Sequence, residues 1–231
     1  MKTIFLPAIG LMNRLRYTSK FLLLGVAVTI VIFILLYSVI TNLNRDIEIA
    51  ENELSGVQML KPMNRAVQYI QQHRGMSAGL LGGNEAMRDK RSAKEKEAAD
   101  AMQATEAIIP ASMRESAAWK KIHGDWEALR SNGLSWAVAD NIKAHNGLID
   151  QILLFMVDVA DLTNMSLDPA MDTYYMMDTV VSKMPAMLEP LGITRARGTG
   201  VLAKKELSPQ MRIDIISTMG QMEGTLAAQN M

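Results

Sequence analysis

Hydrophobic positions along the chain fall into two regimes. Over residues 21–40 they are continuous, and FLLLGVAVTIVIFILLYSVI runs twenty residues without a charge. At ~1.5 Å of rise per residue such a helix is roughly 30 Å long, the thickness of a bilayer core. Backbone groups in lipid must be satisfied within the segment, so the pattern predicts a transmembrane helix. Core helices of soluble domains seldom run so long without polar interruption. A signal peptide would carry an apolar stretch of about 7–15 residues and then a small-residue cleavage site, for which Ser38, Val39 and Ile40 are poorly suited.

Beyond the span the pattern becomes periodic. Leu60, Met63, Val67, Ile70 and Leu81 fall on one arc of a helical wheel, within a helix predicted over 41–81 and interrupted at Pro62. Gly82 and Gly83 are expected to stop it, and Asn84 to cap a helix reaching about Ile109. Pro110 should open another to about Arg130, and SNGLS over 131–135 is the best internal boundary before a helix over 136–165. Asp168 and Pro169 read as cap and first turn of a long helix bent at Pro185 and Pro190. Ser208 and Pro209 repeat that signature before a final helix, which lacks a stop signal. The expected fold is all-α: a cytoplasmic segment at 1–20, a transmembrane helix at 21–40, and a periplasmic helical sensor domain at 41–231. That domain is expected to be of the four-helix-bundle type, as one module or two stacked ones. Its last helix reads as cut off, as in a fragment of a larger receptor or a truncated reading frame.

Charge sets the orientation. Lys2, Arg14, Arg16 and Lys20 precede the span, whereas Arg45 follows it beside Asp46 and Glu48, so the amino terminus is expected in the cytoplasm and the bulk of the chain outside the inner membrane. With 24 basic and 24 acidic residues there is no basic excess to suggest nucleic acid. No cysteine is present, and His73, His123 and His145 have no ligand spacing, so neither metal nor cofactor is expected. No paired nucleophile and base or phosphate loop suggests an enzyme.

Candidate chemistry lies in QQHRGMSAGLL. Arg74 falls at the centre of the apolar arc with Ser77 beside it, and a buried guanidinium costs several kcal/mol, roughly, unless an anion compensates it. Gly75 and Gly79 leave room nearby for a ligand or a close helix. TRARGTGVL repeats the chemistry about 123 residues later, with the Arg-Gly pairs matching Arg74 to Arg197. Helical phase from Tyr174, Met177, Val181, Met184, Leu188 and Leu191 selects Arg195 instead, so both remain candidates. Arginines from two helices would clamp a small anion such as nitrate, nitrite or a carboxylate. The competing reading is an ion pair with a buried acid: Asp172, Asp178 or Glu189.

An Arg-Gly motif on the first long helix, recurring in the second half, resembles the nitrate- and nitrite-sensing (NIT) family of sensor domains. That resemblance implies ligand contacts from such arginines. PAIGLMNRLRYTSKF and LDPAMDTYYMMD resemble the amino-terminal portion of bacterial methyl-accepting chemotaxis receptors. The likeness implies a second span, a HAMP-type relay and a cytoplasmic signalling hairpin in a complete receptor. A homodimeric, membrane-anchored chemotaxis sensor that binds a small anion and moves a helix is therefore expected. The sensor part of a histidine kinase or diguanylate cyclase is the nearest variant, and a ligand-free helical tether the alternative of another class.

Other features have plainer readings. Met171, Met176, Met177, Met184 and Met187 suggest core filling rather than copper, and Trp119, Trp126 and Trp136 suggest packing. RDKRSAKEKEAAD reads as a solvated face with charge pairs three and four residues apart.

Overall fold

The computed structural model describes residue 10 and residues 13–167 and 171–229. The described residues are helical, without a strand, and divide into a unit ending at Glu51 and a unit from Asn52 onward. The first unit consists mainly of the opening half of α1 (Tyr17–Leu81). This helix is long and apolar enough to cross a membrane, and none of its most apolar window is buried by protein. Its polar groups are satisfied within the helix: Thr29 and Thr41 donate at 2.8 Å to the carbonyls of Gly25 and Tyr37.

In the second unit α1 is joined by α2 (Arg88–Ile108), the single turn α3 (Ala111–Arg114), α4 (Ala117–Asn132) and α5 (Val138–Leu162). Helices α1, α2, α4 and α5 share one core, in which Met63, Ile70, Ile122, Trp126, Leu148 and Ile152 are buried. Along α5 the buried positions 138, 142, 145, 149, 152, 156 and 159 alternate steps of three and four, the stripe by which an α-helix buries one face. Then follow α6 (Met171–Asp178), α7 (Met184–Lys204) and α8 (Pro209–Gln229). The last two pair antiparallel, since Arg197 meets Thr218 while Thr194 meets Met222.

Local chemistry explains most boundaries. Gly83 takes φ +101, with Gly83 N–H on the Leu80 carbonyl and Asn84 N–H on that of Gly79, which satisfies the orphan carbonyls at the end of α1. Ser116 caps α4 by accepting from the Trp119 N–H at 3.1 Å, and Ser208 caps α8 by accepting from Met211.

Several expectations are corrected. Pro62 does not interrupt α1: the Gln58 carbonyl loses one donor, but Met59, Leu60 and Met63 are buried around it and hold the helix together. Asn84 makes no side-chain cap, and a 3-10 turn (Glu85–Met87) precedes α2. The helix expected from Pro110 is broken at Ser116. Met171 and Met176 are 72% and 65% exposed rather than core filling. Asp168 and Pro169 lie outside the described residues. The helix after them is continuous but contains a π-helical segment (Thr179–Lys183), in which Met184 N–H reaches five residues back to the Thr179 carbonyl. Pro185, next in the chain, has no N–H to offer, so the wider turn forms where an α-helical bond is missing in any case.

That segment inserts one residue and rotates everything after it by about 100°. The stripe expected to face the bundle, Met184, Leu188, Leu191 and Arg195, is therefore exposed, and Glu189 and Ala196, one residue after Leu188 and Arg195, are buried, as is Gly200 one turn on.

Candidate functional site

Arg74 is fully buried on the core face of α1. Its Nη1 donates to Asn146 Oδ1 of α5 at 2.7 Å and to Glu189 Oε1 of α7, and Nη2 lies 3.4 Å from Glu189 Oε2. Gln71, one turn before it on α1, donates to Glu189 Oε2 at 2.6 Å. One guanidinium thus ties together three helices, and of the three acids weighed as its partner the structure selects Glu189. A Cβ built on Gly192 would stand 2.6 Å from Arg74 Nη2, so glycine is needed there for the close approach. Arg74 Nε is buried without a partner among the described residues.

Ser77, one turn further along α1, is also buried and accepts from Arg91 Nε of α2 at 3.0 Å, while Arg91 Nη1 donates to Glu95 at 2.8 Å. His73 lies next to Arg74 in sequence but points to this second cluster. Its Nδ1 is 2.8 Å from His145 Nε2, its Nε2 is 3.6 Å from Glu95 Oε2, and its ring meets Trp126 edge-on. Burial holds His73 below the usual histidine value and pushes His145 down to about 3, so both rings are neutral near pH 7. With a proton on His73 Nε2, that ring and, beyond the cost of burial, the Arg91 guanidinium hold Glu95 down at about 2.

The other two candidate arginines lie elsewhere on α7. Arg195 is exposed, at the rim of a cleft of about 700 Å³ between α1 and α7 that Gln71 and Gly192 also line. Arg197 turns toward α8, donating to the Asp214 carbonyl at 2.7 Å and to Thr218 Oγ1, and borders a separate cavity of about 320 Å³. Arg74 and Arg197 thus have separate partner sets, with Asn146 bonded to the first and lining the cavity of the second. The ends of the two Arg-Gly stretches nevertheless pack closely. A Cβ on Gly79 would come within 3.2 Å of Thr199, and one on Gly82 within 2.7 Å of Ala203. Gly79 therefore admits a close helix, while a Cβ on Gly75 would meet nothing within 4 Å.

Sequence reasoning missed Gln71, His73, Arg91, Glu95, His145 and Asn146. Signals existed for two of them. His145 falls on the α5 stripe with Ile142 and Ile149, and Arg91 lies seven, eleven and fourteen residues before Ala98, Met102 and Thr105, on one face of α2.

The described residues thus combine an all-α bundle, an ion-paired arginine buried within it and one helix apolar enough to cross a membrane. A family model described as nitrate and nitrite sensing (NIT) matches residues 65–230, and the chain belongs to that family. No curated protein and no solved structure matches the chain.

Proposed function

We infer that this chain is the extracytoplasmic sensor region of a membrane-anchored receptor, with methyl-accepting chemotaxis receptors as the leading context, and that it responds to a small anion. Nitrate, nitrite and small carboxylates are the ligands in view. The observation carrying this reading is the match of residues 65–230 to the nitrate and nitrite sensing family, and the Arg74–Glu189 pair, buried between α1, α5 and α7, is where an anion would have to compete. A guanidinium that holds a carboxylate in a dry site presents the forked donors that nitrate or nitrite would accept. An entering anion replaces Glu189 at Arg74, Glu189 is expelled, and α7 loses its tie to α1 and α5. The same helix, α1, carries both Arg74 and the apolar segment, and it is the route by which a displacement would be passed on.

A homodimer suits the surface of α1: Leu43, Ile47, Leu54 and Val57 recur in steps that fit a heptad seam and are 48–59% exposed. The cysteine-free chain makes the test direct, since Leu54→Cys should give a disulfide-linked dimer on mild oxidation.

Titration calorimetry on the full chain in lipid nanodiscs, with nitrate, nitrite and dicarboxylates, tests ligand binding. Arg74→Ala should abolish the heat while the far-ultraviolet helix signal persists. Heat that survives Arg74→Ala, or no heat with any of these anions, contradicts the reading. A phosphatase fused near residue 150 should be active only outside the cytoplasm; cytoplasmic activity overturns the orientation.

A further inference from the structure

The cleft between α1 and α7 has the wrong lining for an inorganic anion alone. Its walls are Val67 and Leu153 with Val180, Met184, Leu188 and Leu191, and the last four remain 44–45% exposed. Its polar groups lie to the side of α1 and at one end: Asn64, Gln68, Gln71 and Arg195. The Arg195 side chain makes no hydrogen bond or ion pair with any described residue, as holds for other exposed arginines such as Arg65 and Arg114, but it alone among these borders the cleft.

Two further features indicate a built pocket rather than a gap in packing. The π-helical segment supplies Val180 to the wall and turns the apolar stripe of α7 out of the core, so that it faces the cleft rather than the bundle. A volume of about 700 Å³ lies within the usual range for small organic ligands and far exceeds what nitrate fills. Apolar walls favour an apolar body, and an unengaged guanidinium at the rim favours an anionic head.

We propose that this cleft is a second ligand site, distinct from the Arg74 pair, and that it takes a monocarboxylate with an apolar body, the carboxylate on Arg195 and the chain along Val67, Leu188 and Leu191. It stands independently of the small-anion reading, although Gln71 borders both places.

The test is titration of the full chain in lipid nanodiscs with acetate, butyrate, hexanoate, octanoate and octanol, with empty nanodiscs as the blank. Affinity should rise roughly three- to fourfold for each added methylene, and octanol should bind much more weakly than octanoate. Arg195→Gln, at an exposed position, should weaken octanoate roughly tenfold without affecting nitrate. Leu191→Trp, which fills the cleft, should abolish octanoate binding with the helix signal intact. Affinity independent of chain length, octanol binding as well as octanoate, or octanoate binding unchanged in Arg195→Gln overturns the proposal, as does the absence of any binding. Loss of nitrate binding in Arg74→Ala with octanoate retained separates the two sites.

Discussion

His73 Nδ1 and His145 Nε2 lie 2.8 Å apart in the interior, 72 residues apart in sequence, and this contact fixes the protonation of both rings. The Asn141 carbonyl, 2.8 Å from His145 Nδ1, can only accept, so His145 carries its proton on Nδ1. His145 Nε2 then accepts from His73 Nδ1–H, and His73 Nε2 is left as a bare lone pair 3.6 Å from the Glu95 carboxylate. On acidification the first proton belongs on His73 Nε2, where it closes that gap.

Both histidine values are lowered in the folded state by burial, His145 to about 3. Between that range and the unfolded value near 6.5 the unfolded chain binds more protons, so stability is full above about pH 6.5 and falls as pH drops. Glu95, held at about 2, adds loss in the same direction below its ordinary range. Denaturant titrations at pH 8, 6, 5 and 4 should therefore show a loss that steepens toward about 1.4 kcal/mol per pH unit for each ring. His145→Gln should flatten the slope, and a pH-independent midpoint would contradict the assignment.

The Arg74–Glu189 pair predicts a strong double-mutant coupling. Arg74→Ala leaves Glu189 buried and unpaired, and Glu189→Gln leaves the guanidinium without a counter-charge; each should cost about 3–5 kcal/mol. Arg74→Met combined with Glu189→Leu removes both charges and should recover most of that loss in urea unfolding. Additive losses would mean that the two charges are not coupled in solution.

How much of this was readable beforehand depends on the range of the interaction. Arg74 could be placed inside because Leu60, Met63, Val67 and Ile70 share its face of one unbroken helix, and burial of those side chains follows from local periodicity. The helices themselves were legible for the same reason, from Pro209 and Ser208 to the double glycine after Leu81. The partner could not be chosen from phase, because the π-helical segment before Pro185 shifts the buried stripe from Arg195 to Ala196 and from Leu188 to Glu189. A one-residue slip of that kind has no hydrophobic signature. The histidine pair depends on two distant helices meeting, and Arg91 was hidden in a charge run of which most members do face water.

Arg91 supplies a third prediction. Its fork reaches Ser77 through Nε at 3.0 Å and Glu95 through Nη1 at 2.8 Å, a pair of directions that lysine cannot reproduce. Arg91→Lys should cost about 1–3 kcal/mol by leaving the buried Ser77 hydroxyl without its donor. Ser77→Ala in the same background should then add almost nothing, measured by chemical unfolding. A full additional loss would show that Ser77 has another role.

Two glycines on α1 and one just past its end separate packing from helix propensity. At Gly75 an added Cβ meets nothing within 4 Å, so Gly75→Ala gains helix propensity alone and should raise stability by up to about 1 kcal/mol. At Gly56 the same atom would lie 2.3 Å from both Met165 Sδ and Thr163 Oγ1 and 2.9 Å from Thr163 Cβ. Thr163 is itself held by its bond to the Val159 carbonyl, so it cannot simply swing aside. Gly56→Ala should destabilise by about 1–3 kcal/mol despite the same propensity gain. At Gly82 the nearest atom is Ala203 Cβ at 2.7 Å, on α7. Gly82→Ala should thus force α1 and α7 apart where the two Arg-Gly stretches meet, and loosen the Arg74–Glu189 pair along with them. The expected signature is a lower melting temperature together with faster amide hydrogen exchange in α7, while α4 and α5 keep their protection. Uniform loss of protection across the bundle would mean that the α1–α7 contact is part of the main cooperative core rather than a separable element.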